Sequence, residues 1–536
     1  VSGQTRGAVR QSIAPLETLR PDHGGLEVSL ASTALVGVED GMEQLINYPY
    51  GCLEQQSSRV LPMLAAVALG DRFELELPGK PRDLIKAGIN AVLAMQRSDG
   101  GFGYWPGSSR SWPWATAYAL VVMHRARLAG KAAAGVIPDS AVRSALSYLE
   151  RHVAHTPKRL IPWVWSYRAF LVHALALHGR SVAPQLARLY RQREHKPLFA
   201  RAMLLAAMAR ARSRPGHIDA LAAEIGDSLR VDGTWAHAEE NLHAGYQVVM
   251  HSNDRSTAMV LLSLVQARPG HPMVPRLVRW FLLGRKQARY RNTQEAAWAL
   301  MALWDYARII EKQVPDFEAG VWLGERRVVT ASFRGRSTRP RQRRIKMARL
   351  IKLAGRAARD LVVAKRGKGT LYYVARLRYA RKQLPARPRA HGLTVTRQLQ
   401  VLDNAGRPLA RQRPPRLDDT VLVTLRVDST EARRYVVVDD PLPAGLEAID
   451  HSLATAGRSF GGHQAWANTS RWDHRELRDD RVLFFRDHKQ PGRLTYRYLA
   501  RVTTPGTFVV PPTRAEEMYT PEVFGHTAAA TVTFGP

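Results

Sequence analysis

The sequence predicts a multidomain α and β protein, in which a long helical region is followed by two regions of β-strands. Three observations support this fold class. Apolar residues recur at helical spacing through most of residues 27–314, the spacing changes to strand-like alternation after about Val314, and prolines from position 385 to 388 mark a boundary within the β part. With 536 residues, of which 45% are hydrophobic, the chain is long enough for several hydrophobic cores.

The first segment, residues 1–26, is rich in glycine, proline and charge and has no sustained period. It is interpreted as a linker or as the end of a preceding domain. The chain opens with Val1 and shows neither a signal peptide nor a long apolar run. We therefore expect a piece of a larger protein, with any export signal or membrane anchor upstream.

Residues 27–314 carry the pattern of amphipathic helices. Apolar residues lie on one helical face at Ile85, Ile89 and Val92, and roughly a dozen such helices are separated by Gly and Pro residues. A bundle, a solenoid or a closed ring of helical hairpins would bury both faces of the inner helices. Two loops, at residues 98–105 and 231–235, place an aromatic residue just after an Asp-Gly turn. This repetition favours the ring.

The remaining chain is predicted to form two β domains. In residues 315–388, apolar side chains alternate from position 371 to 377, as in a half-buried strand. The dense basic cluster at residues 334–352 is predicted to be a solvated loop or an amphipathic segment. Residues 389–536 contain several alternating runs, such as the one at positions 421–427, which are typical of a β-sandwich.

The only cysteine of the chain, Cys52, stands three positions ahead of Gln55. This spacing suits an internal thioester, in which the cysteine sulfur joins the side-chain carbonyl of the glutamine. Pro49 and Gly51 are residue types that permit the necessary irregular turn. The product would be a stored acyl electrophile that water destroys unless its surroundings are dry. The alternative is a small buried cysteine without special chemistry.

The octapeptide Tyr-Pro-Tyr-Gly-Cys-Leu-Glu-Gln at residues 48–55 resembles the thioester motif of the alpha-2-macroglobulin and complement family in its bacterial form. The two Asp-Gly-aromatic loops resemble hairpin connections of α/α-toroid domains, and residues 292–298 resemble the last inner helix of that toroid in bacterial macroglobulins. The resemblance implies the following segments: 1–26, linker or end of a preceding CUB-like segment; 27–314, α/α-toroid thioester domain; 315–388, CUB-like β domain; 389–536, C-terminal macroglobulin-like β-sandwich.

The resemblance also implies roles for residues beside the bond. A nucleophile would attack the carbonyl of Gln55 while the thiolate of Cys52 leaves, and Glu54 would shape the loop as a hydrogen-bond acceptor. The side chains expected to shield the bond from water are Tyr48, Tyr50 and, as a lid from the C-terminal domain, Met518 and Tyr519.

Complement-type relatives use a histidine that accepts the acyl group first and passes it to hydroxyls. The candidates here are His152 and His155, on one loop, and His243, on another, and the sequence does not decide among them. Amines need no such helper, so we favour capture through lysine amines.

The function implied is a broad-spectrum protease trap, a single-use endopeptidase inhibitor rather than an enzyme, which captures attacking proteases covalently. The bait segment that proteases cut would lie in upstream domains of the same parent chain. We expect a monomer with no cofactor and no metal. The alternatives are an adhesin or opsonin-like binder that uses the thioester on surface hydroxyls, and a structural paralogue with no thioester. An α/α-toroid enzyme is disfavoured because the helical region shows neither an Asp-rich metal motif nor paired carboxylates.

The charge balance is strongly basic, with 79 Lys and Arg residues against 46 Asp and Glu residues and a net charge of +33. These charges are spread along the chain and form no compact nucleic-acid motif, so nucleic-acid binding is not expected. A single cysteine excludes an intramolecular disulfide and leaves the redox compartment open. The resemblance implies the bacterial periplasm, with lipoprotein anchoring of the parent to the inner membrane as one option. A basic surface would suit anionic lipid there.

Overall fold

The computed structural model describes residues 2–13, 16–36, 38–47, 51–69, 80–130, 133, 135–154, 162–232, 234–240, 242, 246, 251–284, 290, 292–354, 359–450, 469–518 and 520–536. The chain divides into two compact units, Val1–Ala380 and Arg381–Pro536. The first unit holds a ring of helices and a β-sandwich, and the second consists of β-strands.

Twelve helices precede residue 310 in the described part of the first unit. They are α1 Val38–Ile46, α2 Leu53–Leu69, α3 Pro81–Leu93, α4 Pro113–Leu128, α5 Asp139–Ala154, α6 Pro162–Leu177, α7 Ala183–Arg191, α8 Leu198–Arg210, α9 Pro215–Asp227, α10 Asn253–Ala267, α11 Met273–Gly284 and α12 Thr293–Ile309. Several begin with a proline, whose missing N–H leaves no hydrogen bond unmade in a first turn. The side chains of Ser252 and Asn292 cap α10 and α12 by accepting backbone N–H bonds.

The even-numbered helices form a closed inner ring. Each of these helices contacts the next, in the order α2, α4, α6, α8, α10 and α12, and α12 contacts α2. The odd-numbered helices pack against members of this ring. The inner helices α4, α10 and α12 are buried nearly all round, whereas α3 and α7 bury only one stripe. The α/α toroid predicted from the repeated loops is therefore confirmed. Among the helices described here, none has the length and apolar character needed to cross a bilayer.

A β-sandwich in the same unit is built from both ends of its chain. Its elements are β1 Ser2–Thr5, β2 Ala8–Ile13, β3 Gly25–Ala31, β6 Asp316–Leu323, β7 Arg326–Arg334, β8 Arg341–Lys346, α13 Met347–Ala354, β9 Arg359–Lys368 and β10 Leu371–Arg378. A separate hairpin of β4 Arg230–Asp232 and β5 Trp235–His237 lies between α9 and α10 in the chain. One antiparallel sheet has the order β1-β10-β3-β8 and the other β2-β9-β6-β7. The helical ring is thus inserted between β3 and β6.

For two regions of this sandwich the sequence allows more than one secondary structure, and the structure assigns one. Residues 1–26, read either as a linker or as the end of a β segment, contain β1, β2 and the start of β3. The basic cluster at residues 334–352 contains the edge strand β8 and most of α13, whose Met347 and Leu350 are buried in the sandwich core. The arginines of β8 are exposed on an edge strand, where charge disfavours pairing with other chains.

The second unit is a β-sandwich with its own core. Its strands are β11 Arg389–His391, β12 Thr394–Val401, β13 Thr420–Ser429, β14 Arg433–Pro441, β15 Leu446–Ala448, β16 His474–Arg478, β17 Arg481–Lys489, β18 Gly492–Val502, β19 Gly506–Val510, β20 Arg514–Glu517, β21 Thr520–His526 and β22 Ala530–Phe534. A sheet of order β11-β21-β20-β14-β17-β16 faces one of order β12-β13-β18-β15, with β19 and β22 paired separately. Apolar residues from both sheets, such as Val423 and Phe484, share one core.

Buried histidines make the ring sensitive to acid. Burial, with nearby positive charge from groups such as Arg125, lowers the pKa of His124 and His173 to about 3. In an unfolded chain these side chains titrate near 6.5. Below that pH the unfolded chain binds more protons than the folded one, so the stability present above pH 6.5 is lost as the pH falls towards 3.

We therefore expect His173→Leu to weaken the pH dependence of stability. The buried His173 alone accounts for about 2 kcal/mol of lost stability at pH 5 relative to pH 8. Thermal unfolding at these two pH values would show a smaller drop in the midpoint for the variant than for the natural chain. An identical drop in both proteins would contradict the assignment.

Candidate thioester site

Cys52 lies immediately before α2, and its carbonyl accepts the first hydrogen bond of that helix. The backbone N–H of Leu53 donates to the carbonyl oxygen of Tyr104 at 2.8 Å, and the N–H of Gln56 donates to the Cys52 carbonyl at 2.9 Å. The backbone N–H of Cys52 donates to Oε1 of Gln55 at 3.0 Å. The side chain of Gln55 is thus folded back onto Cys52, with its amide carbonyl polarised by a backbone donor.

The thiol of Cys52 is half-buried. Burial raises its pKa, and the carboxylate of Glu54 adds to the rise, while the backbone N–H of Gln55 acts in the opposite direction. The net shift is upward, so the free sulfur is a protonated thiol at neutral pH. A thiolate released here would take up a proton readily.

Glu54 points into the ring, where its carboxylate is buried. It accepts hydrogen bonds from the hydroxyl of Ser58 at 2.7 Å, from the hydroxyl of Thr293 at 2.8 Å and from the side-chain amide of Gln294 at 2.8 Å. Thr293 and Gln294 belong to α12, the last inner helix. The first turn of α2 is therefore tied to the opposite end of the helical sequence.

Tyr104 lies beside the first turn of α2 and belongs to an aromatic cluster. Burial raises the pKa of Tyr104 to about 12, and the charges of Cys52 and Glu54 add to the rise. The Tyr104 ring stacks on Trp114 with centroids 6.3 Å apart and meets the edge of Trp112 at 5.8 Å. Sequence reasoning used Tyr104 only as part of the Asp-Gly loop and did not identify it as a neighbour of Cys52.

Several predicted site residues lie outside the part of the chain that the structure describes: Tyr48, Tyr50, His155, His243 and Tyr519. His152 is described, in the last turn of α5, where it is exposed and meets the ring of Tyr167 at a centroid distance of 6.3 Å. Tyr167 in turn accepts the backbone N–H of Trp114 at 3.0 Å. The role of His152 as an acyl-transfer helper stays a prediction.

Met518 lies in the second unit, in the turn that joins β20 to β21. Its backbone N–H donates to the carbonyl of Tyr435 at 2.9 Å, and the residue is 37% exposed. A flexible apolar side chain is therefore presented at the end of a hairpin. Its role as a lid stays a prediction.

Two regions of the chain match family models. Residues 26–159 match the A-macroglobulin TED domain, and residues 392–522 match the bacterial alpha-2-macroglobulin MG10 domain. The first match includes the turn of Cys52 and Gln55, and the second covers most of the C-terminal sandwich.

Similar proteins cover nearly the whole chain. The alpha-2-macroglobulin homolog of Nostoc sp. is 26% identical to this chain, and the match covers 95% of this chain and 26% of the homolog. The alpha-2-macroglobulin of Escherichia coli is 28% identical, and the match covers 90% of this chain and 28% of that protein. The chain thus spans about a quarter of the length of these relatives. A crystal structure of trypsin-activated E. coli alpha-2-macroglobulin shares the fold, with a TM-score of 0.51 and 22% sequence identity. The match covers the whole of this chain and 36% of the E. coli chain.

Proposed function

Since the chain belongs to the bacterial alpha-2-macroglobulin family and corresponds to its C-terminal portion, we propose that it carries the covalent warhead of a protease trap. The observation that supports this most is the hydrogen bond from the Cys52 N–H to Oε1 of Gln55, which folds a carboxamide onto the only cysteine. The proposal includes a periplasmic location and upstream domains that sense cleavage. It describes a single-use inhibitor, not an enzyme with turnover.

The geometry supports the following route to closure of the thioester. The sulfur of Cys52 attacks the side-chain carbonyl carbon of Gln55, and negative charge develops on Oε1. The Cys52 N–H already donates to this oxygen and stabilises that charge, as an oxyanion-hole donor does. The thiol proton passes to the departing amide nitrogen, which leaves as ammonia.

In capture the sulfur of Cys52 becomes the leaving group, and the side-chain carbonyl of Gln55 is again the electrophile. A lysine amine of a target protease attacks the same carbonyl carbon, and the carbon–sulfur bond breaks. The amine loses a proton and the Cys52 sulfur gains one, in line with the raised pKa of its thiol. Gln55 then forms a stable amide with the protease, so each chain captures once.

Water must be excluded until capture. Tyr104 and its aromatic neighbours supply cover from the ring. We propose that Tyr48, Tyr50, Met518 and Tyr519 complete it, with Met518 and Tyr519 as a movable lid. Proteases are the proposed partners, and the E. coli relative of known structure is described as trypsin-activated.

The intact mass of the protein before and after methylamine tests the proposal. The mass of the native chain should be lower than that of the plain sequence by one ammonia. Methylamine should add once, at Gln55, and release one titratable thiol, and it should react in preference to glycerol. A plain-sequence mass with a freely titrating thiol would indicate a paralogue without a thioester. Preference for glycerol would indicate a binder of surface hydroxyls instead.

A further inference from the structure

The ring buries two opposite charges close to the proposed thioester. Arg255 on α10 is 2% exposed and Glu54 on α2 is 4% exposed. Burial lowers the pKa of Arg255 to about 10, so the guanidinium remains protonated at neutral pH. Burial of an isolated ion is strongly unfavourable, and each of these charges therefore needs compensation.

The side chain of Gln294 lies between them. Its Oε1 accepts from Nε of Arg255 at 3.0 Å, and its Nε2 donates to Oε1 of Glu54 at 2.8 Å. The indole N–H of Trp298 also donates to Oε1 of Gln294 at 3.0 Å, and this donor requires an oxygen at that position. The amide dipole is thus oriented with its carbonyl towards the cation and its NH₂ towards the anion.

A further pair of hydrogen bonds connects the carboxylate, through Ser58 of the same helix, to α4. The hydroxyl of Ser58 donates to Glu54, and the hydroxyl of Tyr118 on α4 lies 2.9 Å from that of Ser58. Inner helices α2, α4, α10 and α12 therefore meet in one buried polar network. Within α2, Glu54 stands directly between Leu53 and Gln55, so whatever holds its side chain also holds the turn.

We propose that Gln294 and Arg255 are positioning residues for the thioester: the amide of Gln294 bridges the buried guanidinium to Glu54 and so fixes the turn that carries Cys52 and Gln55. This inference rests on the proposed function and adds to it the residues that orient the reacting pair. The two proposed positioning residues lie more than two hundred positions along the chain from Cys52.

The consequence for reactivity follows from the geometry that bond formation requires. Reacting atoms must approach to roughly 3–3.5 Å, and a displacement of about 1 Å lowers the rate by about a hundredfold. Glu54 is adjacent in sequence to Gln55, so a shift of its carboxylate moves the backbone of the reacting turn. Loss of the bridge should therefore reduce closure of the thioester.

A swap of the two side chains tests the bridge. Glu54→Gln leaves Arg255 without an anion, and Gln294→Glu places two carboxylates side by side. In the double variant one carboxylate lies directly beside Arg255 and an amide replaces Glu54. We expect the closed fraction, measured by intact mass, to fall about tenfold or more in each single variant and to recover to within about twofold of the natural chain in the double variant.

Gln266→Leu serves as the matched control. Gln266, on α10, also carries a side-chain amide, which donates a hydrogen bond to Asp305 at 2.7 Å. Its loss should lower the unfolding midpoint and leave closure intact. Unchanged closure in the single variants, no recovery in the double variant, or an equal loss in Gln266→Leu would each overturn the inference. Absence of closure in the natural chain would overturn the proposed function and this inference together.

Discussion

Replacement of Cys52 by alanine is expected to abolish covalent capture completely. Without the sulfur, Gln55 keeps an unactivated carboxamide, which does not react with amines under ordinary conditions. Because Cys52 is only half-buried, the variant should lose no more than about 1 kcal/mol of stability. Intact mass after methylamine and gel analysis after incubation with trypsin would detect, respectively, amine incorporation and the protease adduct.

Two further variants make this experiment decisive. Gln55→Glu keeps an oxygen that can accept the Cys52 N–H but has no ammonia to expel, so it should also fail to capture. Ser228→Ala removes an exposed hydroxyl at the end of α9 and should capture like the natural chain. Methylamine incorporation by Cys52→Ala at the natural rate would show that the reactive group lies elsewhere.

The largest effect on stability is expected at Asp305, a buried residue of α12. Its carboxylate accepts hydrogen bonds from both Nη groups of Arg125, at 2.8 and 2.9 Å, and from the side-chain amide of Gln266, at 2.7 Å. Burial acts to raise the pKa of Asp305, but these partners bring it down to about 2. Asp305→Asn would leave the guanidinium of Arg125 buried without an anion, so we expect a loss of about 3–5 kcal/mol.

Chemical denaturation of the natural chain and the variant would measure this loss. The double variant Asp305→Leu with Arg125→Met removes both charges and should recover much of the stability, because a buried ion pair can be replaced by apolar side chains at little net cost. If the double variant were as unstable as the sum of its single variants, the loss would not stem from an uncompensated charge. Neither residue touches the thioester turn in the described contacts, so closure should survive in whatever fraction folds.

The fold class followed from local patterns. Helical spacing, the repeated Asp-Gly-aromatic loops and the later alternation of apolar residues are short-range signals. The structure has the toroid, the β-strands after it and the C-terminal sandwich that they predicted. Strands β1 and β2 gave no comparable signal. They are short, and their partners β10 and β9 lie more than three hundred residues away.

The site was predictable only in part. The spacing of Cys52 and Gln55 is visible in the sequence, and their roles stay predictions. The bridge through Gln294 was not predicted, because it joins side chains from distant helices and includes a buried arginine, a residue type normally expected at the surface. The proximity of Tyr104 to Cys52 likewise depends on how the Asp-Gly loop folds back onto α2.

The insertion of the ring between β3 and β6 has a consequence for synthesis of the protein. β1, β2 and β3 pair with β8, β9 and β10, all of which follow the ring in the chain. At about 5–20 residues per second, a ribosome needs roughly 15–60 s to translate from Ala31 to Asp316. During that interval the first three strands have emerged without these partners, while the ring can already fold. The sandwich is therefore completed only after the ring has been translated, and the nascent chain must protect its first three strands until then.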